Sequence, residues 1–222
     1  MDTKQLAGRY AADLGESGWV LGLGTGSTVA FALERLAERV REGLDVRGVP
    51  TSLDTESKCR RYGIPLTTLE EHPRLRMTID GADEVDPQKR LIKGGGGALL
   101  REKVVASASE ELVVIVGENK VVDRLGVGFL LPVEVVPFAV PYVLRRLEEL
   151  GCAPFVRAHQ DGKPLVSDNG NRIVDCRFDG IDEPEELERR LNAVPGIVEN
   201  GLFCGLAGRV VVGKADGGIE VR

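Results

Sequence analysis

Between residues 18 and 117, short apolar runs alternate with helical patterns, and no other feature of this chain restricts its fold so tightly. Residues 19–23, 46–49, 65–69, 75–79 and 111–117 read as strands. Residues 29–41, 54–62 and 98–108 read as helices, with Val29, Leu33, Leu36, Ala37 and Val40 keeping a helical period on one face. An earlier helix over residues 2–14 is predicted from Leu6, Tyr10 and Leu14. Gly63 is placed to close the helix that ends at Tyr62. Strand and helix in regular alternation predict right-handed βαβ units on a mostly parallel, Rossmann-like sheet. Sheets of that kind bind ligands at the loops beyond the carboxyl ends of their strands.

The texture changes after Leu125. Gly126-Val-Gly128 and the prolines at 132, 137 and 141 mark a boundary. Beyond it lie a strand (133–136), a helix (140–150), two strands (153–158 and 172–177), a helix (184–191) and a strand (197–204). That βαββαβ order predicts a small ferredoxin-like α+β domain. The expected domains are therefore 1–126 plus 205–222 for the larger, and 127–204 for the smaller insert. The strand at 209–212 is expected to return to the large sheet. Asp168-Asn-Gly-Asn171 reads as a structural turn between the two middle strands of the insert.

Composition excludes several classes of function. The net charge of −6 provides no basic field for nucleic acid or an anionic membrane. An anionic small molecule remains possible, held by local lysines and backbone N–H groups. Cys59, Cys152, Cys176 and Cys204 stand far apart without a C-x-x-C, so neither a disulfide framework nor a zinc site is expected. His72 and His159 form no His-x-x-x-His pair, and no metal is expected. The first fourteen residues have no long apolar core, so neither a signal peptide nor a membrane span is read there, and a cytoplasmic location is expected.

Two loops carry the candidate chemistry. Gly24-Thr-Gly-Ser-Thr28 joins a strand to a helix, where glycines admit close backbone approach and the first helical N–H groups point at an anion. The hydroxyls of Thr25, Ser27 and Thr28 can add donors. Ser27 stands where a dinucleotide fingerprint needs glycine, and no Gly-Lys-Ser/Thr follows, so a small phosphorylated ligand fits better than a nucleotide. A purely structural turn has the same composition. The second loop holds Asp80-Gly-Ala-Asp-Glu84, then Lys93-Gly-Gly-Gly-Gly97, then Arg101-Glu102-Lys103. Asp80 and Asp83 can face one cavity, although an Asp here also suits a turn or a helix cap. Glu84 and Asp86 read equally well as solvated charges. Glu102, early in its helix, can lean back toward the glycine loop. Lys120 follows the 111–117 strand on the ligand-binding side of the sheet. Lys4, one turn into the first helix, reads as a surface charge.

These loops, together with Leu131-Pro-Val-Glu-Val-Val-Pro137, Asp168-Asn-Gly-Asn171 and Pro195-Gly-Ile-Val198, resemble the type A ribose-5-phosphate isomerases in order along nearly the whole chain. No motif position departs from that pattern. The resemblance implies interconversion of ribose 5-phosphate and ribulose 5-phosphate through a cis-enediolate, without metal or organic cofactor, in a homodimer or homotetramer. It implies Glu102 as the base, Lys93 as the cation at the developing oxyanion, and Asp80 and Asp83 as holders of sugar hydroxyls that assist ring opening. It further implies substrate contacts from Thr25, Gly26, Ser27, Thr28, Gly81, Ala82, Gly94, Gly95 and Gly96, with Lys120 and Lys4 toward the phosphate. Two other classes use similar folds. A sugar-phosphate deaminase or lactonase would want a catalytic histidine, and neither His72 nor His159 stands near the acid pair. A sugar-phosphate sensor would want a DNA-binding segment, and the chain has no basic face for one.

Overall fold

The computed structural model describes residues 2–222. In chain order its elements are α1 (Thr3–Asp13), β1 (Trp19–Leu23), α2 (Ser27–Arg41), β2 (Val46–Pro50), α3 (Leu53–Tyr62), β3 (Met77–Gly81), β4 (Glu84–Val85), β5 (Leu91–Ile92), α4 (Leu99–Ser107) and β6 (Leu112–Gly117). They continue with β7 (Leu131–Val135), α5 (Val140–Glu149), β8 (Ala153–Val156), β9 (Arg172–Arg177), α6 (Pro184–Asn192), β10 (Ile197–Asn200), β11 (Leu202–Phe203), β12 (Ala207–Gly213) and β13 (Ile219–Val221). The chain forms two compact units. The first holds the chain up to Ala82, then Arg101–Val121 and Leu206–Arg222; the second holds Asp83–Leu100 and Val122–Gly205.

The first unit is built on a six-stranded sheet of order β13-β12-β6-β3-β1-β2. Its strands pair in parallel except β13, which closes the β12 edge antiparallel. Leu21, Leu23, Met77, Ile79, Val113, Ile115 and Val211 face Ala7 and Ala11 of α1 and Val29, Leu33 and Leu36 of α2 in one buried cluster. Truncating a side chain as enclosed as Leu33 to alanine costs about 2–5 kcal/mol. Gly22 faces the opposite way, where Val105 of α4 packs so closely that an added Cβ would stand 2.6 Å from its Cγ1. The carboxyl ends of β1, β3 and β6 thus share one edge, and the expected loops leave from it.

The second unit has the expected order β7-α5-β8-β9-α6-β10, and its antiparallel sheet runs β10-β7-β9-β8. Val133, Val135, Val174 and Cys176 on one face bury against Val143 and Leu147 of α5 and Leu187 and Leu191 of α6. A second sheet, β11-β5-β4, completes the unit.

Several expectations differ from the structure. Residues 65–69 form a single bridge, Gly48 to Leu66, because the chain turns at once into a loop closed by a His72 N–H to Thr68 carbonyl bond of 2.9 Å. The strand expected over 197–204 breaks at Gly201, whose N–H donates to Pro132 while its carbonyl accepts from Lys93. β10 therefore pairs with β7, and β11 pairs with β5 in the other sheet. Residues 83–100, read from the sequence as part of the larger domain, belong to the second unit because β4 and β5 pair with each other and with β11. Glu84 and Asp86 are buried rather than solvated. The Glu84 carboxylate accepts the N–H groups of Gly126 (2.6 Å) and Gly128 (2.9 Å), and Asp86 accepts those of Gln88 and Arg90.

Candidate active site

In the first unit, the loop after β1 leads into α2 with Gly26 as its N-cap, and no side chain caps the helix. The first N–H groups of α2 are left for solvent or an anion, with the positive end of the helix dipole behind them. Ser27 is exposed, and the Lys4 ammonium reaches its hydroxyl at 3.1 Å, so the α1 lysine stands beside this helix start. Thr28 lies one residue further into α2 and is half-buried. The Thr25 hydroxyl turns inward. It meets Thr51 Oγ1 at 2.8 Å, Ser52 Oγ at 2.8 Å and Thr55 Oγ1 at 3.2 Å. Ser52 also caps α3 through the Thr55 N–H, and Thr55 donates to the Gly24 carbonyl at 2.7 Å. Thr25 therefore braces the loop with its side chain rather than extending it. Nothing in the sequence marks Thr51, Ser52 and Thr55 for this bracing role, although the first two follow directly on the end of β2.

Asp80 stands at the carboxyl end of β3, 1% exposed. Its Oδ1 accepts the N–H of Thr25 at 3.1 Å and that of Gly81 at 2.8 Å. Gly24 is what lets the two strands meet here, since a Cβ on it would fall 2.1 Å from Asp80 Oδ1. Gly81 ends β3, Ala82 follows it, and both are half-buried. Glu102 lies in the first turn of α4 and is 4% exposed, one turn before Val105 on the same helix face. Lys120 ends the short 3-10 turn that follows β6.

In the second unit, Asp83 accepts the Gly95 N–H on Oδ2 at 2.8 Å, tying the acidic loop to the glycine loop. Lys93 is 3% exposed, and its ammonium lies over the Phe203 ring at 5.4 Å from the centroid. A Gly97 N–H to Gly94 carbonyl bond of 3.0 Å closes the loop into a turn that also contains Gly95 and Gly96. A Cβ on Gly95 would fall 2.8 Å from Asp83 Oδ1, so glycine is required there for the approach. Among the described residues, no three His, Cys, Asp or Glu side chains group as a metal site would need, and no helix is long and apolar enough to cross a membrane.

Residues 47–217 match the family model of ribose 5-phosphate isomerase A (phosphoriboisomerase A). The ribose-5-phosphate isomerase A of Trichodesmium erythraeum is 50% identical over 97% of this chain and 92% of its own length. That of Methanoregula boonei is 52% identical over 94% of this chain and 88% of its own. Among solved structures, the ribose 5-phosphate isomerase A of Methanocaldococcus jannaschii superposes with a TM-score of 0.94 at 40% identity, covering 99% of this chain and 97% of that one. A D-ribose-5-phosphate isomerase solved in complex with phospho-erythronic acid superposes at 0.96, with 36% identity, over 100% of this chain and 99% of that one. With a family match over most of its length and relatives at half identity from end to end, the chain belongs to the ribose 5-phosphate isomerase A family.

Proposed function

We propose that this protein interconverts D-ribose 5-phosphate and D-ribulose 5-phosphate through a cis-enediolate, in the non-oxidative pentose phosphate pathway. One observation carries the reading beyond family membership. An uncapped helix start with a lysine beside it adjoins a buried aspartate that is hydrogen-bonded to the same loop. A sugar phosphate needs that pairing of an anion cradle with a hydroxyl acceptor. The relatives lend no support to the deaminase, lactonase or sensor readings.

The reaction moves a proton between C1 and C2 of the open-chain sugar. The phosphate rests on the Gly24–Thr28 loop with Lys4 and Lys120 toward it. Asp80 and Asp83 hold sugar hydroxyls and assist ring opening; three residues apart, their Cα atoms lie within about 11 Å by chain length alone. Glu102 takes the proton from one carbon and returns it to the other, a step worth ~10²–10⁴-fold. Lys93 supplies the cation that stabilises the charge developing on O1 and O2, and Gly94, Gly95 and Gly96 let the substrate come close to the backbone. A phosphorylated four-carbon acid, such as the ligand of the solved relative, offers a planar carboxylate where the enediolate offers two oxygens. That chemistry supports the reading.

The working form is a homo-oligomer, a dimer or tetramer, located in the cytoplasm. Phe138 is 96% exposed, with Val136 and Tyr142 partly exposed nearby in the chain, and burying the Phe138 side chain against a second copy gains about 1.5–3 kcal/mol. Incubation with ribose 5-phosphate in excess chelator should yield ketose at an undiminished rate. No ketose, or ketose only after a divalent ion is restored, overturns the reading.

A further inference from the structure

The glycine loop of the second unit lies on the sheet face that α5 and α6 leave uncovered. A Cβ on Gly94 would meet Pro132 at 3.2 Å, and one on Gly97 would meet Leu165 at 3.3 Å and Ile173 at 3.9 Å. Consecutive glycines offer no side chains, so the peptide groups are the loop's functional groups, and they must be oriented from outside. Arg157 does this. Its Nη1 donates to the carbonyls of Gly94 (3.0 Å) and Gly95 (2.9 Å). Its Nε and Nη2 form a bidentate pair with the Asp175 carboxylate, at 2.8 and 2.5 Å. Asp175 is buried and the Arg157 side chain is 15% exposed, so the pair is a fixed strut rather than a surface ion pair.

In a trans peptide the N–H points opposite to the carbonyl. Fixing two successive carbonyls on Arg157 therefore turns the N–H groups of Gly95 and Gly96 to the far side. The Gly95 N–H meets Asp83 there at 2.8 Å. The Gly96 N–H, from the next peptide, is presented beside it, and successive N–H groups of this kind form a concavity suited to an anion.

We propose that Arg157, held by Asp175, is a positioning residue for the isomerisation: it aims the Gly95 and Gly96 N–H groups and sets the place of Asp83. The inference rests on the isomerase reading. Arg157→Ala should lower kcat by ~10²-fold, the loss that follows a misplacement of about 1 Å. KM for ribose 5-phosphate should stay within ~3-fold, because the phosphate is held elsewhere. Millimolar guanidinium added to the variant should restore kcat at least ~10-fold, by replacing the missing group between the same acceptors. A purely structural residue would change the melting temperature and give no such rescue. A folded Arg157→Ala protein with kcat within ~3-fold of wild type overturns the proposal, as does a loss that guanidinium leaves unchanged. Should Arg157→Ala fail to fold, Arg157→Lys decides: one ammonium cannot serve four acceptors, so kcat should fall at least ~10-fold with unchanged circular dichroism, and wild-type kcat overturns the proposal. A wild-type protein that gives no ketose from ribose 5-phosphate overturns the isomerase reading as well, and is a distinct result.

Discussion

Gly24→Ala adds one methyl group where β1 and β3 approach, and its effect can be worked from the distances there. The new Cβ would stand 2.1 Å from Asp80 Oδ1, 2.3 Å from its Cγ and 2.7 Å from its Cα. Turning the carboxylate relieves the first two clashes but not the third, because Cα is backbone. Ordinary contact begins at 3.4 Å, so the Asp80 backbone must yield by 0.7 Å and the oxygen by 1.3 Å. Overpacking of this kind costs about 1–3 kcal/mol, and at roughly 2–4 °C per kcal/mol for a chain of this size the melting temperature should fall by about 2–12 °C. If Asp80 holds a sugar hydroxyl, a displacement near 1 Å should lower kcat by ~10²-fold in the folded protein. The assay is ketose formation from ribose 5-phosphate below the melting transition, with thermal denaturation alongside. Asp80→Asn added to Gly24→Ala should lower kcat far less than it does alone, since both act at one carboxylate. A Gly24→Ala protein that melts like wild type and keeps kcat within ~3-fold refutes the reasoning, as do losses that simply add in the double variant.

Glu102→Gln keeps size and hydrogen bonding but removes the base, so kcat should drop at least ~10²-fold with KM little changed; steady-state kinetics check this. Sugar deuterated at C2 should carry part of its label to C1 with the wild-type enzyme, as transfer by one base requires. Lys4→Ala should raise KM for ribose 5-phosphate more than it lowers kcat, and a change confined to kcat would remove Lys4 from the phosphate site. Arg9 and Arg35 both donate to Glu38, which lowers the Glu38 carboxyl from 4.5 to about 2. A depressed carboxyl stabilises the fold above its unfolded value and loses that contribution as pH falls from 4.5 to about 2. Glu38→Gln should therefore flatten the acid melting curve in that window, read by circular dichroism.

Long elements with a clear period were legible in the sequence, and short ones were not. α2 and α5 carry enough turns for an apolar stripe to stand out, and β6 is apolar throughout. β4, β5 and β11 are two residues each, too short for any alternation, and they are the strands that draw residues 83–100 into the second unit. The positions of the Gly24–Thr28 loop and of Asp80 at strand ends could be read because glycine, hydroxyl and carboxylate cluster there. Glu84 and Asp86 misled because a carboxylate in sequence carries no sign of burial; what buries them is a set of backbone N–H donors that only the fold assembles. Arg157, just past the end of β8, and Asp175 on β9 stand 18 residues apart, and neither spacing nor composition marks them as a pair.

The placement of β12 has a consequence for biosynthesis. In the finished sheet β12 covers the β6 edge, yet residues 118–206 are made between the two strands. A chain leaving the ribosome therefore holds Leu112-Val-Val-Ile-Val116, all buried in the final protein, with one side unpaired until residues 207–213 emerge. At ordinary elongation rates that interval is roughly 5–20 s, ample time for an open apolar edge to find another nascent chain. During that interval the β6 edge is the part of the nascent chain most open to pairing in trans.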